Sequence, residues 1–232
     1  MELVILPGMD GTGILSQTFA NHLPGDFSVT IVRYPSGERQ SYAELEFIAR
    51  SALPENRPFL LLGESFSGPI AISLAASNPT KPAGLILCCS FARNPYQFLR
   101  PFGSLSTLVN VRAIPLPVLS GILLGRWSTP ALRSLLQEAL SIVPPAVLQA
   151  RASAVLTVDA VDMLRHLQLP LLYLKGSEDR LIPPAAATLV LENAPDTRLE
   201  EIPGPHLLLQ AAPERCARVI TDFANRQCRI AR

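Results

Sequence analysis

Charge is what this 232-residue sequence has least of. Asp, Glu, Lys and Arg make up 17% of it, where an average soluble domain carries about 25%. The signs also cancel: 20 basic against 19 acidic residues leave a formal net charge of +1. Without a basic excess there is no electrostatic footprint for nucleic acid or an anionic membrane surface. Metal-ligating side chains are scarce too. His22, His166 and His206 are the only histidines, and Cys88, Cys89, Cys216 and Cys228 show no C-x-x-C or Cys/His ligand spacing. That excludes a structural zinc site and leaves the cysteines as buried free thiols; no metal or cofactor is expected. Charges or prolines break every apolar stretch before the roughly 18 residues a membrane span needs. The opening residues lack a basic n-region and a long apolar h-region, so the expected location is the cytoplasm.

What is abundant is apolar side chain, 48% of residues, together with 22 prolines. That composition rules out disorder. Leu3–Leu6, Ser28–Arg33, Phe59–Leu62 and Gly84–Cys89 are short runs rich in apolar or β-branched residues, the pattern of parallel strands buried on both faces. Helical patterns alternate with them at Ile14–Leu23, Tyr42–Leu53 and Ser65–Ser77. Ser41 and Glu44 form a capping-box pair at the start of the second. Strand–helix alternation of this kind spells a doubly wound α/β fold. The rhythm lapses from Phe91 to His166, where seven prolines punctuate short amphipathic helices, and resumes with a strand at Leu169–Lys175, a helix at Pro183–Asn193, a strand at Thr197–Ile202 and a helix at Pro213–Gln227. The expected division is an α/β core of residues 1–90 and 167–232, interrupted by a helical cap of residues 91–166.

One corner of this pattern carries chemistry. Gly63-Glu64-Ser65-Phe66-Ser67-Gly68 lies between a strand and a helix, where a serine hydroxyl projects above the sheet from a strained turn. Ser67 stands at a small-residue position more often filled by Gly. A nucleophilic serine needs a base, and His206 in Gly204-Pro205-His206 follows the last strand at the same sheet edge. His22, at the end of an early helix, and His166, before a strand, read as surface or packing residues. An acid must then hold the imidazole. Asp179, in the loop after Leu169–Lys175, is placed for this, with Glu178 its nearest rival; Asp159 and Asp162 read as solvated helix residues. The backbone N–H groups of Phe66 and Met9, the latter in the glycine-rich loop after the first strand, are the expected oxyanion donors. That loop lacks the Gly-Lys-Ser/Thr of a P-loop and meets a dinucleotide fingerprint only in part.

Four motifs together, Leu6-Pro7-Gly8-Met9-Asp10-Gly11, Gly63–Gly68, Gly176–Pro183 and Gly204–His206, resemble those of the α/β-hydrolase superfamily, in the order Ser65, Asp179, His206. The first two also resemble plant phytyl ester synthase-type acyltransferases. The resemblance implies a cofactor-independent serine esterase acting on a hydrophobic acyl ester, a small-molecule substrate. The same triad could serve an acyltransferase or thioesterase, and the scaffold could serve as a non-catalytic binding module. The family's usual antiparallel hairpin has no counterpart before Leu3. Six parallel strands in the order 2-1-3-4-5-6 are therefore expected, with Ser28–Arg33 at an edge and a monomer or homodimer as the assembly. In the cap, Leu116, Leu119, Ile122 and Trp127 are expected to line an acyl pocket.

Overall fold

The short apolar runs fold as strands covered on both faces. In this computed structural model, which describes residues 1–77, 82–97, 114–194 and 196–230, six strands form one sheet: β1 (Glu2–Leu6), β2 (Ser28–Ile31), β3 (Phe59–Glu64), β4 (Gly84–Cys88), β5 (Leu171–Gly176) and β6 (Thr197–Ile202). Their order is β2-β1-β3-β4-β5-β6 and every pairing is parallel, as the sequence pattern implies. The chain direction across the sheet reverses between β1 and β3. Such a switch point opens a crevice at the C-terminal ends of the strands.

Helices α1 (Ile14–Ala20), α2 (Tyr42–Ser51), α3 (Gly68–Ser77), α4 (Leu116–Leu123), α5 (Pro130–Ile142), α6 (Pro145–Val155), α7 (Val161–Arg165), α8 (Pro184–Asn193), α9 (Leu208–Ala211) and α10 (Pro213–Ile230) complete the described elements. Alternation along β3 explains the two layers. Phe59 and Leu61 face a core shared with Leu45 of α2, Ile70 and Leu74 of α3 and Val190 of α8. Leu60 and Leu62 face the opposite core, with Phe19 of α1, Leu208 of α9 and Ile220 of α10. All four β3 side chains are fully buried, each contributing about 1.5–3 kcal/mol of hydrophobic stabilisation.

Most elements end within one to three residues of the sequence reading, and three of the differences have a clear local reason. The strand expected from Leu169 begins at Leu171, because Pro170 has no N–H to donate and offers only its carbonyl, to Leu85 N–H at 3.0 Å. The helix expected from Ser65 opens instead as a 3₁₀ turn, Ser65–Ser67, because Ser65 sits at φ +48°, outside helical space. The strand expected through Arg33 stops at Ile31; Tyr34 N–H bonds Gly11 O at 2.8 Å, turning the chain toward the loop after β1.

Between β4 and β5 the described regular elements are helices, apart from one isolated bridge. Asn94 N–H bonds Val158 O at 3.1 Å and Ala160 N–H bonds Ala92 O at 2.8 Å, clamping the two ends of the segment around the Arg93–Asp159 bridge. Its last helix, α7, buries Val161 and Leu164 in the sheet-covering core. Residues 98–113 of the expected helical segment, and the side chain of Cys228, lie outside the described residues. No helix among the described residues is long and apolar enough to cross a membrane.

Candidate active site

Three loops at the C-terminal ends of β3, β5 and β6 bring Ser65, Asp179 and His206 together. Ser65 Oγ lies 2.9 Å from His206 Nε2. On its other side, His206 Nδ1 lies 3.0 and 3.1 Å from the two carboxylate oxygens of Asp179. The side chains of His206 and Asp179 are 3% and 5% exposed, whereas Ser65 is partly open to solvent within an otherwise buried run. An imidazole so placed can take a proton from the serine while its other nitrogen stays fixed by the acid.

The elbow is locally determined. A Cβ on Gly63 would come within 2.7 Å of Ala71 Cβ, and one on Gly68 within 1.9 Å of Ser90 Oγ, so both positions exclude a side chain. Ser67 does more than stay small. Its hydroxyl bonds Pro7 O at 2.5 Å and Tyr34 OH at 2.8 Å, tying the elbow to the loop after β1. Ser90 Oγ donates to Ser65 O at 2.5 Å, and Tyr173 OH bonds Ser90 O in turn.

Asp179 is held as an anion. Burial alone would raise its pKa, but the hydrogen bond and charge of His206, with the N–H groups of Ile182 and Leu181, keep the carboxyl below the usual range. Those two N–H groups reach Asp179 Oδ1 at 2.9 and 2.8 Å. Glu178 turns to the helical segment instead. Its Oε1 accepts from Arg126 Nη2 at 2.7 Å and from Trp127 Nε1 at 3.2 Å.

The two expected oxyanion donors belong to the loop after β1 and the elbow after β3, which the bond from Ser67 Oγ to Pro7 O ties together. Gly8 O accepts from Gly11 N–H at 3.0 Å inside the loop after β1; in a trans peptide the N–H of Met9 then points the opposite way, out of the loop. The Phe66 carbonyl accepts from Tyr42 OH at 3.1 Å, and the Phe66 and Tyr42 rings stack at 4.7 Å.

Sequence reasoning missed Arg151. This α6 side chain is fully buried, with Nη1 donating to Met9 O at 3.0 Å and Asp10 O at 2.8 Å, and Nη2 to Pro35 O at 3.0 Å. It lies over the Tyr34 ring at 5.7 Å. A guanidinium suits several carbonyls at once because its donors form a rigid fork. Nothing in a helical sequence distinguishes such an arginine from one facing solvent.

The remaining candidates lie elsewhere. His22 bonds Thr18 O and contacts Glu214; His166 bonds Asp162 O. Asp159 accepts from Val161 N–H at the start of α7, and Asp162 pairs with Arg165. Cys88, Cys89 and Cys216 are buried free thiols. Among the described residues, the one grouping of donor atoms spaced to hold a metal ion is Cys89, Asp179 and His206, within 4.8 Å of one another. Against the hydrogen bond with Cys88, which lowers it, burial and Asp179 raise the pKa of Cys89.

A cavity of about 250 Å³ is lined by Ile114, Leu116, Leu119, Gln137, Leu140 and Leu148, with Ser141. Leu148 belongs to a small cluster with Val143 and Val147 against which both Leu140 and Met9 pack, so part of the cavity wall shares an apolar group with the loop after β1. Leu116 and Leu119, two of the residues expected at an acyl pocket, line it. Ile122 and Trp127 are not among its described lining residues, and Trp127 is instead committed to Glu178.

A family model described as serine aminopeptidase, S33, matches residues 43–209. The chain belongs to this α/β-hydrolase family. Over 200 residues it is 30% identical to monoglyceride lipase of Rattus norvegicus, covering 77% of this chain and 64% of that one. Over 108 residues it is 34% identical to phytyl ester synthase 1, chloroplastic, of Arabidopsis thaliana, covering 43% of this chain and 15% of that one. The chain thus spans less than two thirds of either relative. Among solved structures, a thermophilic esterase from Thermogutta terrifontis superposes with a TM-score of 0.83 at 20% identity, covering 98% of this chain and 90% of that one. An enol-lactonase from Burkholderia xenovorans does so at 0.81 and 14%, covering 97% and 91%. At these identities the likeness is one of fold.

Proposed function

We propose that this α/β hydrolase cleaves carboxylic esters with a hydrophobic acyl group through an acyl-enzyme on Ser65. The observation that carries the reading is the continuous hydrogen-bond chain Ser65 Oγ–His206 Nε2, His206 Nδ1–Asp179. Ser65 Oγ attacks the acyl carbon as His206 Nε2 takes its proton, and Asp179 stabilises the imidazolium that forms. The N–H groups of Met9 and Phe66 hold the oxyanion. His206 then returns the proton to the leaving alkoxide, and the alcohol departs. Water, deprotonated by the same nitrogen, attacks the acyl-enzyme; the bond to Ser65 Oγ breaks, His206 returns its proton to that oxygen, and the acid departs.

Residues 91–166 act in this reading as a cap. Three sets of contacts support that role: Arg151 on the Met9 and Asp10 carbonyls, Arg126 and Trp127 on Glu178, and Leu207 N–H on Leu123 O at 3.1 Å. Each touches a loop beside a triad or oxyanion residue. The mainly apolar cavity, whose wall residue Leu148 belongs to the cluster that Met9 packs against, takes the acyl chain. The deciding assay is hydrolysis of a short p-nitrophenyl ester by the purified protein; activity that survives Ser65→Ala sinks the proposal.

The likeness to phytyl ester synthase 1 favours a second reading, acyl transfer to an alcohol. It uses the same first half-reaction, with an alcohol instead of water deprotonated by His206. Product partitioning with added long-chain alcohol separates the two.

A further inference from the structure

One acid beside the site has no part in the mechanism above. Glu64 immediately precedes Ser65, is 3% exposed, and makes no ion pair among the described residues. A carboxyl is costly to bury without a cation unless hydrogen bonds compensate it. Its partners come from two other elements. Gln210 Nε2 donates to Glu64 Oε1 at 3.0 Å, and Ser16 Oγ donates to Oε2 at 3.5 Å. Ser16 belongs to α1, the helix that leaves the oxyanion loop. Gln210 belongs to α9, one turn beyond His206, and the same amide nitrogen bonds Leu15 O at 3.2 Å. One buried carboxyl therefore joins the elbow, the helix after the oxyanion loop and the helix after the base.

We propose, on the reading of Ser65 and His206 given above, that Glu64 is a positioning residue: it braces these three elements against one another, and its negative charge stabilises the imidazolium formed on His206 in each half-reaction. The titratable groups facing it are Asp10 from the loop after β1, His206 from the loop after β6, Cys88 of β4 and Cys216 of α10. Both thiols stay protonated: the hydrogen bond with Cys89 and burial raise Cys88, and burial raises Cys216. Burial pushes Glu64 up to about 7, with Asp10 adding to the rise, while Gln210, His206 and Ser16 pull against it. Coupling between two titrating sites is reciprocal. A charge on His206 favours the Glu64 carboxylate, so that carboxylate favours the imidazolium equally. Glu64 thus changes charge in the range where an imidazole base works.

The test is the pH dependence of kcat for p-nitrophenyl ester hydrolysis. In the wild type the acid limb should be broader than a single ionisation allows, because a proton on either Glu64 or His206 disfavours a proton on the other. Glu64→Gln keeps the shape and removes the charge. It should lower plateau kcat by roughly 5- to 20-fold, as expected for loss of one partly screened charge near a developing cation. KM should stay nearly constant, and the limb should reduce to a single ionisation. A bracing role alone would lower kcat by the same factor at every pH and leave the limb unchanged; that result overturns the electrostatic assignment. Gln210→Leu serves if Glu64→Gln does not fold. With its hydrogen bond withdrawn, Glu64 should titrate higher and the limb should move to higher pH; an unmoved limb also overturns the proposal. Fluorophosphonate labelling separates this inference from the one it rests on. Labelling of Ser65 with unchanged pH profiles defeats the role of Glu64 alone, whereas a wild type that resists labelling and an active Ser65→Ala defeat both.

Discussion

The carboxylates of Glu178 and Asp179, adjacent in sequence, serve opposite sides of the site. Glu178 accepts from Arg126 and Trp127 of the helical segment, while Asp179 accepts from His206 and from the N–H groups of Leu181 and Ile182. Substituting each should therefore give different kinetics. Asp179→Asn should lower kcat by about 10²–10⁴-fold, as in other triads. Glu178→Gln should leave the smallest ester nearly unaffected and act on longer acyl chains. A larger loss from Glu178→Gln on the smallest ester would reassign the acid.

Ser65→Ala and His206→Ala should each lower kcat by several orders of magnitude, and the double mutant should be little worse than either, because a proton relay fails as a unit. Additive losses in steady-state assays would show that the two do not act together.

Asp179 also ties stability to pH. Its pKa is depressed in the folded protein from an ordinary value of 3.8, so its contribution is fully present above that value and disappears as pH falls through the lower, folded one. Urea denaturation of wild type and Asp179→Asn between about pH 5 and pH 2 should show a stability gap that narrows with acid. A gap that widens toward low pH would contradict this.

Arg151→Met should strand the carbonyls of Met9, Asp10 and Pro35. A buried carbonyl left unpaired costs about 1–3 kcal/mol, read as a lower Tm. Because the Met9–Asp10 loop then loses its anchor, kcat should fall more than KM rises. Arg151→Lys keeps the charge without the fork and should fall between. Full activity in a folded Arg151→Met protein would remove the loop's dependence on the guanidinium.

Filling the cavity should change selectivity before it changes chemistry. Leu119→Trp should shift preference toward shorter acyl chains, with turnover of the shortest p-nitrophenyl ester held within about threefold, since one added side chain occupies part of a hydrophobic pocket worth about 1–3 kcal/mol per methylene discriminated. Equal losses at every chain length would make Leu119 a plain packing residue.

The sequence alone determined the elements that local physics controls. Continuous apolar runs such as Phe59–Leu62 can be buried only between two layers, and their alternation with helical patterns led to the six-stranded parallel order that the structure adopts. Gly63-x-Ser65 between strand and helix marked the elbow, and the loops after β5 and β6 supplied Asp179 and His206, because strand ends in such a sheet converge on one edge. Tertiary structure decided what depends on direction and distance. Whether Glu178 or Asp179 meets the imidazole turns on where a one-residue step points each side chain. Whether Arg151 is solvated or buried depends on which face of α6 meets the loop after β1, and the near-zero amphipathicity of that helix hides it. Glu64 was visible inside the elbow motif, but its partners Ser16 and Gln210 lie far away in the chain. Only the packed fold puts three such distant polar groups in one dry place.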